Sequence, residues 1–253
     1  MIFDTHAHYD DERFDEDRFG LLSEMPEKDV GFIINCGADL ESSAKSVDYA
    51  ERFPFIYAAC GIHPSNVDGV PDSAAEELKS LCRKDKVVAI GETGLDYHYD
   101  YSEREDQKRW LYKHIDLAAE LNLPIVIHDR EAHEDIMQSL RYAHAKGVTG
   151  VVHCFSGSVE MMTEVIKLGF YISLGGAVTF KNAKKVLQVA EKVPTDKLLL
   201  ETDCPYMTPE PFRGKRNDSS YIKYTAQKIA EIRGLTYSDV CGITAENAKR
   251  LFF

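Results

Sequence analysis

The sequence predicts an α/β fold, a (β/α)8 TIM barrel, on three observations. Short apolar runs recur along the chain, and most of them are followed by a longer amphipathic stretch rich in Glu, Lys and Ala. This alternation is typical of βα units and a parallel sheet. The apolar runs number eight, which is the count that a closed barrel requires. The length of 253 residues suits one barrel-sized domain, so we expect a single domain over residues 1–253.

The eight apolar runs define the predicted strands. In order, these are Ile2–His6, Gly31–Cys36, Phe55–Gly61, Val87–Glu92, Pro124–His128, Thr149–His153, Gly169–Leu174 and Lys197–Glu201. A doubly wound open sheet is the main alternative for such a pattern. That fold does not require eight strands, and it does not explain why several of them end in a histidine or a carboxylate.

Amphipathic stretches between the strands predict the outer helices. The clearest one runs from about Ser102 to Leu121, with Ser102 as its N-cap. Apolar side chains recur along it at helical spacing and would face the sheet. Two further helices, about Ser220–Arg233 and about Ala245–Phe252, would complete the outer layer.

The overall charge and the cysteines limit the classes of function. A formal net charge of −12 argues against broad coating of duplex nucleic acid. It does not exclude a short strand that enters a pocket, because divalent cations can reverse the local sign of charge. The six cysteines are scattered without a CxxC pair, which favours reduced thiols. With no basic, apolar leader and no membrane-spanning run, we expect a cytoplasmic protein without a membrane partner or an obligate protein partner.

Two histidines, His6 and His8, are separated by one residue at the end of the first predicted strand. Side chains at i and i+2 point to the same face of an extended chain, so both imidazoles are predicted to converge. Asp4 shares their parity and is a candidate to accept a ring N–H and fix the tautomer of a ligand.

Other predicted strands end in the same types of residue. The eighth strand ends in Glu201 and leads through Thr202 to Asp203, which places two carboxylates with matching parity at the rim. In a βα barrel all strand ends meet at the carboxyl-terminal face, where active sites are built. We therefore predict one metal site, formed by His6, His8, Glu92, His128, His153 and Asp203.

The number of candidate ligands favours two metal ions. Six side chains exceed the three protein ligands that are usual for one catalytic zinc, so two divalent ions bridged by Glu92 fit better. Mixed imidazole and carboxylate ligands suit Zn²⁺, Mn²⁺, iron or Mg²⁺, and the sequence does not choose among them. Cysteine ligands are not expected, because Cys154 and Cys204 directly follow a predicted ligand and would point the other way along an extended chain.

The ordered set of motifs resembles the TatD family of metal-dependent deoxyribonucleases, within the amidohydrolase-like barrels, over essentially the whole chain. The matching segments are Asp4–His8, Gly61–Pro64, Gly91–Tyr97, Pro124–Arg130, His153–Gly157, Glu201–Pro205, Arg213–Asn217 and Asn247–Phe252. One departure is Asp218-Ser219, where the family commonly has Glu-Pro. The resemblance implies a two-metal site and 3′→5′ exonuclease or 3′-end-processing activity on DNA. Some members act on RNA or on aminoacyl-tRNA esters.

The sequence thus predicts a metal-dependent hydrolase, specifically an exodeoxyribonuclease that uses a two-metal-activated water on the 3′ ends of single-stranded DNA or RNA. Glu92 and Asp203 are the predicted catalytic carboxylates, with Asp203 as the base that orients and deprotonates the water. Glu201 is the second candidate for the base, and a salt bridge at the barrel mouth is its alternative role. A hydrolase of carboxylic esters or amides, such as aminoacyl-tRNA esters or lactones, would use the same site. A non-catalytic, metal-stabilised protein is the third possibility.

Further residues are candidates for contact with substrate. The resemblance implies that His63 and the Arg213–Asn217 segment touch substrate phosphate, and capping of the following turn is the alternative role of His63. Arg213 offers a planar fork for phosphate, which Lys215 and Arg216 would reinforce unless the segment is a solvated basic loop. Asn217, at the end of this segment, is also assigned to substrate.

Three tyrosines alternate after the fourth predicted strand: Tyr97, Tyr99 and Tyr101. They are candidates to stack an unpaired base, and Tyr97 is assigned to substrate, although packing is expected for at least two of the three. The other histidines have no convergent partners and are expected to be exposed; they are His98, His114, His133 and His144.

Overall fold

Eight parallel strands form one sheet in the computed structural model, which describes residues 1–253, and neighbours in the sheet follow the order of the chain. The strands are β1 (Ile2–Ala7), β2 (Val30–Cys36), β3 (Ile56–Cys60), β4 (Val87–Asp96), β5 (Ile125–Arg130), β6 (Gly150–Val152), β7 (Tyr171–Leu174) and β8 (Leu198–Leu200). All eight coincide with predicted strands, so the predicted barrel is confirmed.

The segment that follows β8 closes the barrel against β1. Ala7 forms a parallel bridge with Cys204. The Asp203 N–H donates to the carbonyl of His6 at 2.9 Å, and the His8 N–H donates to the carbonyl of Cys204 at 2.8 Å. The first and last predicted metal ligands are therefore brought together by the hydrogen bonds that complete the sheet.

Nine helices surround the sheet. They are α1 (Arg18–Ser23), α2 (Leu40–Arg52), α3 (Ala74–Cys82), α4 (Arg104–Leu121), α5 (His133–Ala145), α6 (Val159–Lys167), α7 (Lys184–Lys192), α8 (Ile222–Arg233) and α9 (Tyr237–Phe252). None of them is both long enough and apolar enough to cross a lipid bilayer.

Two predicted helix starts were wrong. Ser102 does not cap α4, because its hydroxyl is buried without a hydrogen-bond partner and Glu103 occupies the cap position. Helix α9 starts at Tyr237 instead of Ala245, since Thr236 and Asp239 form a capping box in which each side chain bonds the other's backbone N–H. That start signal was present in the sequence.

Helix α9 also helps to position the site. Buried residues on the inner faces of the strands form one cluster with the apolar side of α9. Its members are Phe3, Ile34, Cys36, Ala59, Val88, Ala89, Val126, Val151, Tyr171, Leu199, Ala245, Ala248, Leu251 and Phe252. Because hydrocarbon side chains fill this part of the barrel, the buried polar side chains collect at the carboxyl ends of the strands.

His114 is buried, so the prediction that it is exposed was wrong. Its Nε2 accepts the N–H of Ile62 at 2.9 Å, and its Nδ1 lies 2.7 Å from the carbonyl oxygen of Trp110. His114 is placed one turn after Trp110 on the apolar face of α4, where a neutral imidazole satisfies a loop N–H. His144 and His98 are exposed, as predicted, and His98 pairs with Glu131, whereas His133 is half-buried and pairs with Asp129.

Candidate metal centre

The carboxyl end of the barrel brings all six predicted ligands into one cluster. Three groups of side chains there place their ligand atoms within 4.8 Å of one another. The groups are His6, His8 and Asp203; His6, His153 and Glu201; and His63, Glu92 and His128. The convergence follows from the fold, because parallel strands end at the same edge and each group combines side chains from different strand ends.

His6 and His8 point their Nε2 atoms at the same volume, 3.0 Å apart. The Nδ1 of His8 donates to the carbonyl of Cys36 at 2.9 Å, which leaves its Nε2 with a free lone pair. This is the arrangement of a metal-binding histidine, whose other ring N–H is held by a backbone carbonyl. Asp203 lies beside the pair, with Oδ1 3.6 Å from the Nε2 of His8.

Glu92 lies in the middle of the cluster, and its two oxygens face different histidines. Oε2 is 3.2 Å from the Nε2 of His6 and 3.3 Å from that of His8. Oε1 is 2.9 Å from the Nδ1 of His128 and 2.8 Å from the Nε2 of His153. Burial opposes ionisation of Glu92, but the surrounding histidines hold its pKa well below the usual range. One buried carboxylate thus connects two sets of imidazoles.

The donor set fits divalent metal ions. Besides the close nitrogen pair of His6 and His8, the Nδ1 of His128 lies 3.1 Å from the Nε2 of His153. Lone pairs at such separations repel unless a proton or a cation lies between them. The buried Nδ1 of His153 and Oε2 of Glu201 have no hydrogen-bond partner, which is costly for groups without a ligand.

Glu201 and Asp203 lie in different environments. The side chain of Glu201 is 0% exposed, and its Oε1 accepts the N–H of Cys154 at 2.5 Å. Burial raises the pKa of Glu201 to about 7. Asp203 is 16% exposed, and although burial opposes ionisation, His8 and its neighbours lower its pKa. Asp203 is therefore the ionised carboxylate that reaches the pocket, whereas Glu201 lies behind it.

His63 reaches the cluster from the loop after β3. Its Nε2 lies 3.6 Å from Oε1 of Glu92, and its Nδ1 accepts the N–H of Ser65 at 3.1 Å. A backbone N–H can only donate, so the proton of a neutral His63 is on Nε2. Burial lowers the pKa of His63 to about 3, which keeps the ring neutral. His63 thus both caps its turn and presents an N–H, not a lone pair, to the cluster.

Sequence reasoning missed two neighbours of the ligands. Asp96, at the end of β4, places Oδ2 3.4 Å from the Nε2 of His128. Cys36 supplies the carbonyl that holds His8, and its sulfur lies 3.5 Å from the Nδ1 of His6. Asp96 could have been found, because it lies at the same parity as Glu92, four residues on. A backbone carbonyl leaves no signal in the sequence.

The predicted role of Asp4 as a partner of a ligand ring was wrong. Its carboxylate accepts hydrogen bonds from the hydroxyls of Thr202 and Ser219, each at 2.6 Å, and from the Thr202 N–H at 2.9 Å. The β1–β2 ladder shifts its register between Asp4 and Ala7. This irregularity breaks the strict alternation on which the prediction relied, and Asp4 instead ties β1 to the segments that follow β8.

Comparison with known proteins places the chain in a family. A family model described as TatD related DNase matches residues 3–253. The chain belongs to this family. The "uncharacterized metal-dependent hydrolase YabD" of Bacillus subtilis is 46% identical over 252 residues, covering 100% of this chain and 99% of YabD. In Escherichia coli K12, YcfH is 35% identical over 255 residues, covering 100% of this chain and 96% of YcfH.

Solved structures agree with this assignment. YjjV, a TatD homolog from Escherichia coli K12, has a TM-score of 0.93 at 32% identity and covers 99% of this chain and 97% of YjjV. A TatD-family hydrolase from Entamoeba histolytica has a TM-score of 0.88 at 25% identity, with coverages of 100% and 98%. The chain is a metal-dependent hydrolase of the TatD family, with clusters of His, Glu and Asp suited to metal ions.

The basic segment Arg213–Asn217 contains both cations that are paired within the protein and cations that are not. Arg213 is exposed and lies over the ring of Phe180, 4.3 Å from its centroid, without a carboxylate partner. Arg216 instead forms two hydrogen bonds with Asp17, at 2.8 and 2.6 Å. Lys215 is exposed, so Arg213 and Lys215 are the cations of this segment that remain free for an anionic ligand.

Asn217 and Tyr97 are held by the protein itself. The buried amide of Asn217 donates to the carbonyls of Thr202 and Tyr206 at 3.0 and 2.7 Å. The Tyr97 hydroxyl donates to Asp135 at 2.6 Å. Asn217 therefore fixes the loop after β8, and Tyr97 fixes the loop after β4, so a direct contact of either with substrate stays a prediction.

Proposed function

We propose that this chain is a 3′→5′ exodeoxyribonuclease that hydrolyses phosphodiester bonds at the 3′ ends of single-stranded DNA, with two divalent cations as cofactors. The observation that supports it best is the position of Glu92, whose two oxygens face separate histidine sets. The family assignment supplies the class of substrate, because the matching model is that of TatD related DNases.

Two sets of side chains would hold the two cations, which are Mg²⁺, Mn²⁺ or Zn²⁺. His6, His8 and Asp203 form the first set, and His128 and His153 form the second, with one oxygen of Glu92 facing each. Divalent cations in such a site supply activation of water and neutralisation of charge at the phosphorus. Their positive charge also makes the pocket of an acidic protein attractive to a phosphate.

Three polar side chains have separate roles in the proposed reaction at the phosphate. Asp203, ionised and partly exposed, accepts a proton from the attacking water and orients it. His63 donates its Nε2–H to a non-bridging phosphate oxygen, for which its neutral state suffices. Glu201 holds the Cys154 N–H and thereby the segment that begins with His153, so we assign it a positioning role.

A labelled oligonucleotide tests the proposed activity directly. Single-stranded DNA with a 5′ label is incubated with the purified protein in Mg²⁺, Mn²⁺ or chelator, and the products are resolved by length. We expect a ladder that shortens one nucleotide at a time from the 3′ end, and none with chelator. Turnover of a lactone or acyl-ester panel without any cleavage of DNA would replace the proposal with an ester hydrolase.

Substitution of Arg213 tests the contact with substrate. Arg213→Ala should weaken binding of single-stranded DNA roughly ten- to a hundred-fold, because a charge-assisted hydrogen bond is worth about 1.5–3 kcal/mol. The loss should be independent of base sequence, and the dependence of affinity on salt should flatten by about one phosphate contact. Affinity is measured by fluorescence anisotropy over a range of salt concentrations, with chelator present to prevent cleavage.

A matched variant controls for the loss of one charge. Arg83 follows the last residue of α3, which lies at the opposite, amino-terminal face of the barrel, and its side chain is 61% exposed. Arg83→Ala should bind DNA as the wild type does. Equal weakening by both substitutions, or no weakening by Arg213→Ala, would mean that Arg213 belongs to a solvated basic loop.

A further inference from the structure

Two of the three tyrosines after β4 are exposed at the rim of the barrel. Tyr99 is 48% exposed and Tyr101 is 69% exposed. Only Tyr97 packs, with the guanidinium of Arg104 over its ring at 4.2 Å and its hydroxyl on Asp135. The prediction that at least two of them pack was therefore wrong, because the chain leaves the sheet at Asp96 and crosses the rim before α4 starts.

The exposed pair is ordered as a stack. The rings of Tyr99 and Tyr101 are nearly parallel, with an angle of 3° between their planes and 5.2 Å between centroids. The guanidinium of Arg130 lies 4.4 Å from the centroid of Tyr99. The ring of Tyr101 has no other aromatic or cationic neighbour, and neither hydroxyl makes a hydrogen bond within the protein. A flat aromatic surface is thus presented to solvent.

This stack is tied to the metal centre through Asp96. One oxygen of Asp96 accepts the backbone N–H groups of His98 and Tyr99, each at 3.0 Å. The other oxygen lies 3.4 Å from the Nε2 of His128. Asp96 is also paired with Arg130 in the β4–β5 ladder. Adjacent strand ends therefore hold both the stack and a predicted ligand, which gives the two sites a defined separation.

The charge beside the stack is positive and available. Arg130 forms no ion pair with a carboxylate, whereas the neighbouring Arg104 is neutralised by Asp100 at 2.8 Å. An unpaired guanidinium next to stacked aromatic rings is the combination that binds single-stranded nucleic acid, since bases stack on the rings and the cation meets the backbone. The chain as a whole has a net charge of −12, which repels anions. An unpaired cation beside the pocket therefore provides a local point of attraction for an anionic ligand.

We propose that Tyr99, Tyr101 and Arg130 form a stacking platform for an unpaired nucleobase of the strand whose 3′-terminal phosphodiester lies at the metal centre. This inference rests on the proposed nuclease function and specifies how the same site would select its substrate. The base adds to the exposed face of Tyr101, and Arg130, which lies over Tyr99, supplies positive charge beside the stack for the backbone of the strand. A base in a duplex is already stacked and paired, so the platform favours single-stranded ends. Every base has a flat face, so the preference among base sequences is weak.

Oligonucleotides with one missing base test the platform. A single abasic nucleotide is placed at successive positions from the 3′ end, and the affinity of each strand is measured by anisotropy in chelator. For the wild type, we expect one position at which removal of the base weakens binding roughly 5- to 150-fold, the range known for stacking on one aromatic side chain. The same strands are then assayed for kcat/KM with metal, where the penalty should fall at the same position.

Paired substitutions identify the source of the penalty. In a variant with both Tyr99→Ala and Tyr101→Ala, the abasic penalty should disappear, because no ring remains for the base to meet. In the matched variant with both Tyr99→Phe and Tyr101→Phe, it should persist, since the rings remain and the hydroxyls have no partners to lose. Both variants should unfold at the wild-type temperature, as exposed side chains contribute little to the core.

The outcomes separate this inference from the proposed function. An abasic penalty of unchanged size and position in the double alanine variant would overturn the platform, as would a wild type with no penalty at any position. Binding with a tyrosine-dependent penalty but no cleavage in any metal would support the platform and overturn the nuclease assignment. Wild-type protein that neither binds nor cleaves single-stranded DNA would overturn both.

Discussion

Glu92→Gln is expected to lower kcat/KM on single-stranded DNA by about a thousand-fold, or ~4 kcal/mol of transition-state stabilisation. The two oxygens of this carboxylate face separate histidine sets, and the amide can offer an oxygen to only one of them. The substitution also removes a negative charge that offsets the metal ions. Side-chain volume is preserved, so the protein should fold and keep more of its metal than of its activity.

Kinetics and elemental analysis on the same preparation check this prediction. Glu120→Gln is the matched control, because Glu120 is exposed on α4 and pairs with Lys79, away from the centre. The control should retain wild-type rate and metal content. A Glu92→Gln protein that cleaves DNA at nearly the wild-type rate would show that Glu92 has no role in the site. Equal losses of metal and activity would show that Glu92 only binds metal.

A variant with both His6→Ala and His8→Ala is expected to lose DNA hydrolysis to the level of the background. The pair supplies two nitrogens to one set of ligands, while His128, His153 and Glu92 remain. Metal content should therefore fall from about two ions per chain to about one. The chain should stay folded, because the barrel interior and the layer beneath the helices are built from other, apolar side chains.

Circular dichroism, metal analysis and the labelled-DNA assay are the measurements for this variant. His144→Ala serves as the control, since His144 is exposed on α5 and its ring donates one hydrogen bond, to the carbonyl of Leu168. It should change neither metal content nor rate. Full activity and two bound ions in the double variant would contradict the site, and a loss of native helical signal would show that the histidines also stabilise the fold.

The barrel and the cluster of candidate ligands were predictable because both depend on local rules. Apolar runs that alternate with amphipathic stretches define βα units, and parallel strands must end at one face. The chemistry of strand-end residues such as His128 and Glu92 could therefore be placed at that face without any knowledge of contacts. The sequence also predicted Glu92 as the carboxylate between two ions; its two oxygens face separate histidine sets, and the bridging role itself stays a prediction.

Two of the errors share a physical cause, because they depended on contacts between distant parts of the chain. Asp4 left its predicted parity because the β1–β2 ladder shifts register beside it. Arg216 was lost as a phosphate cation because Asp17, 199 residues away in sequence, pairs with it. The error on His114 had a local cause instead, because His114 lies one turn after Trp110 on the apolar face of α4, where helical periodicity already predicts burial.

The sequence by itself determined the fold class, the family and the set of residues that can bind metal, because hydrophobic periodicity and strand-end chemistry are written in neighbouring residues. Only the tertiary structure decided which groups those residues meet. It put the lone pair of His8 and the N–H of His63 toward the cluster, through the carbonyl of Cys36 and the N–H of Ser65. It also left Tyr101 exposed while it half-buried Tyr97. Tautomers and exposure depend on hydrogen-bond partners and packing in three dimensions, and these exist only once the barrel has closed.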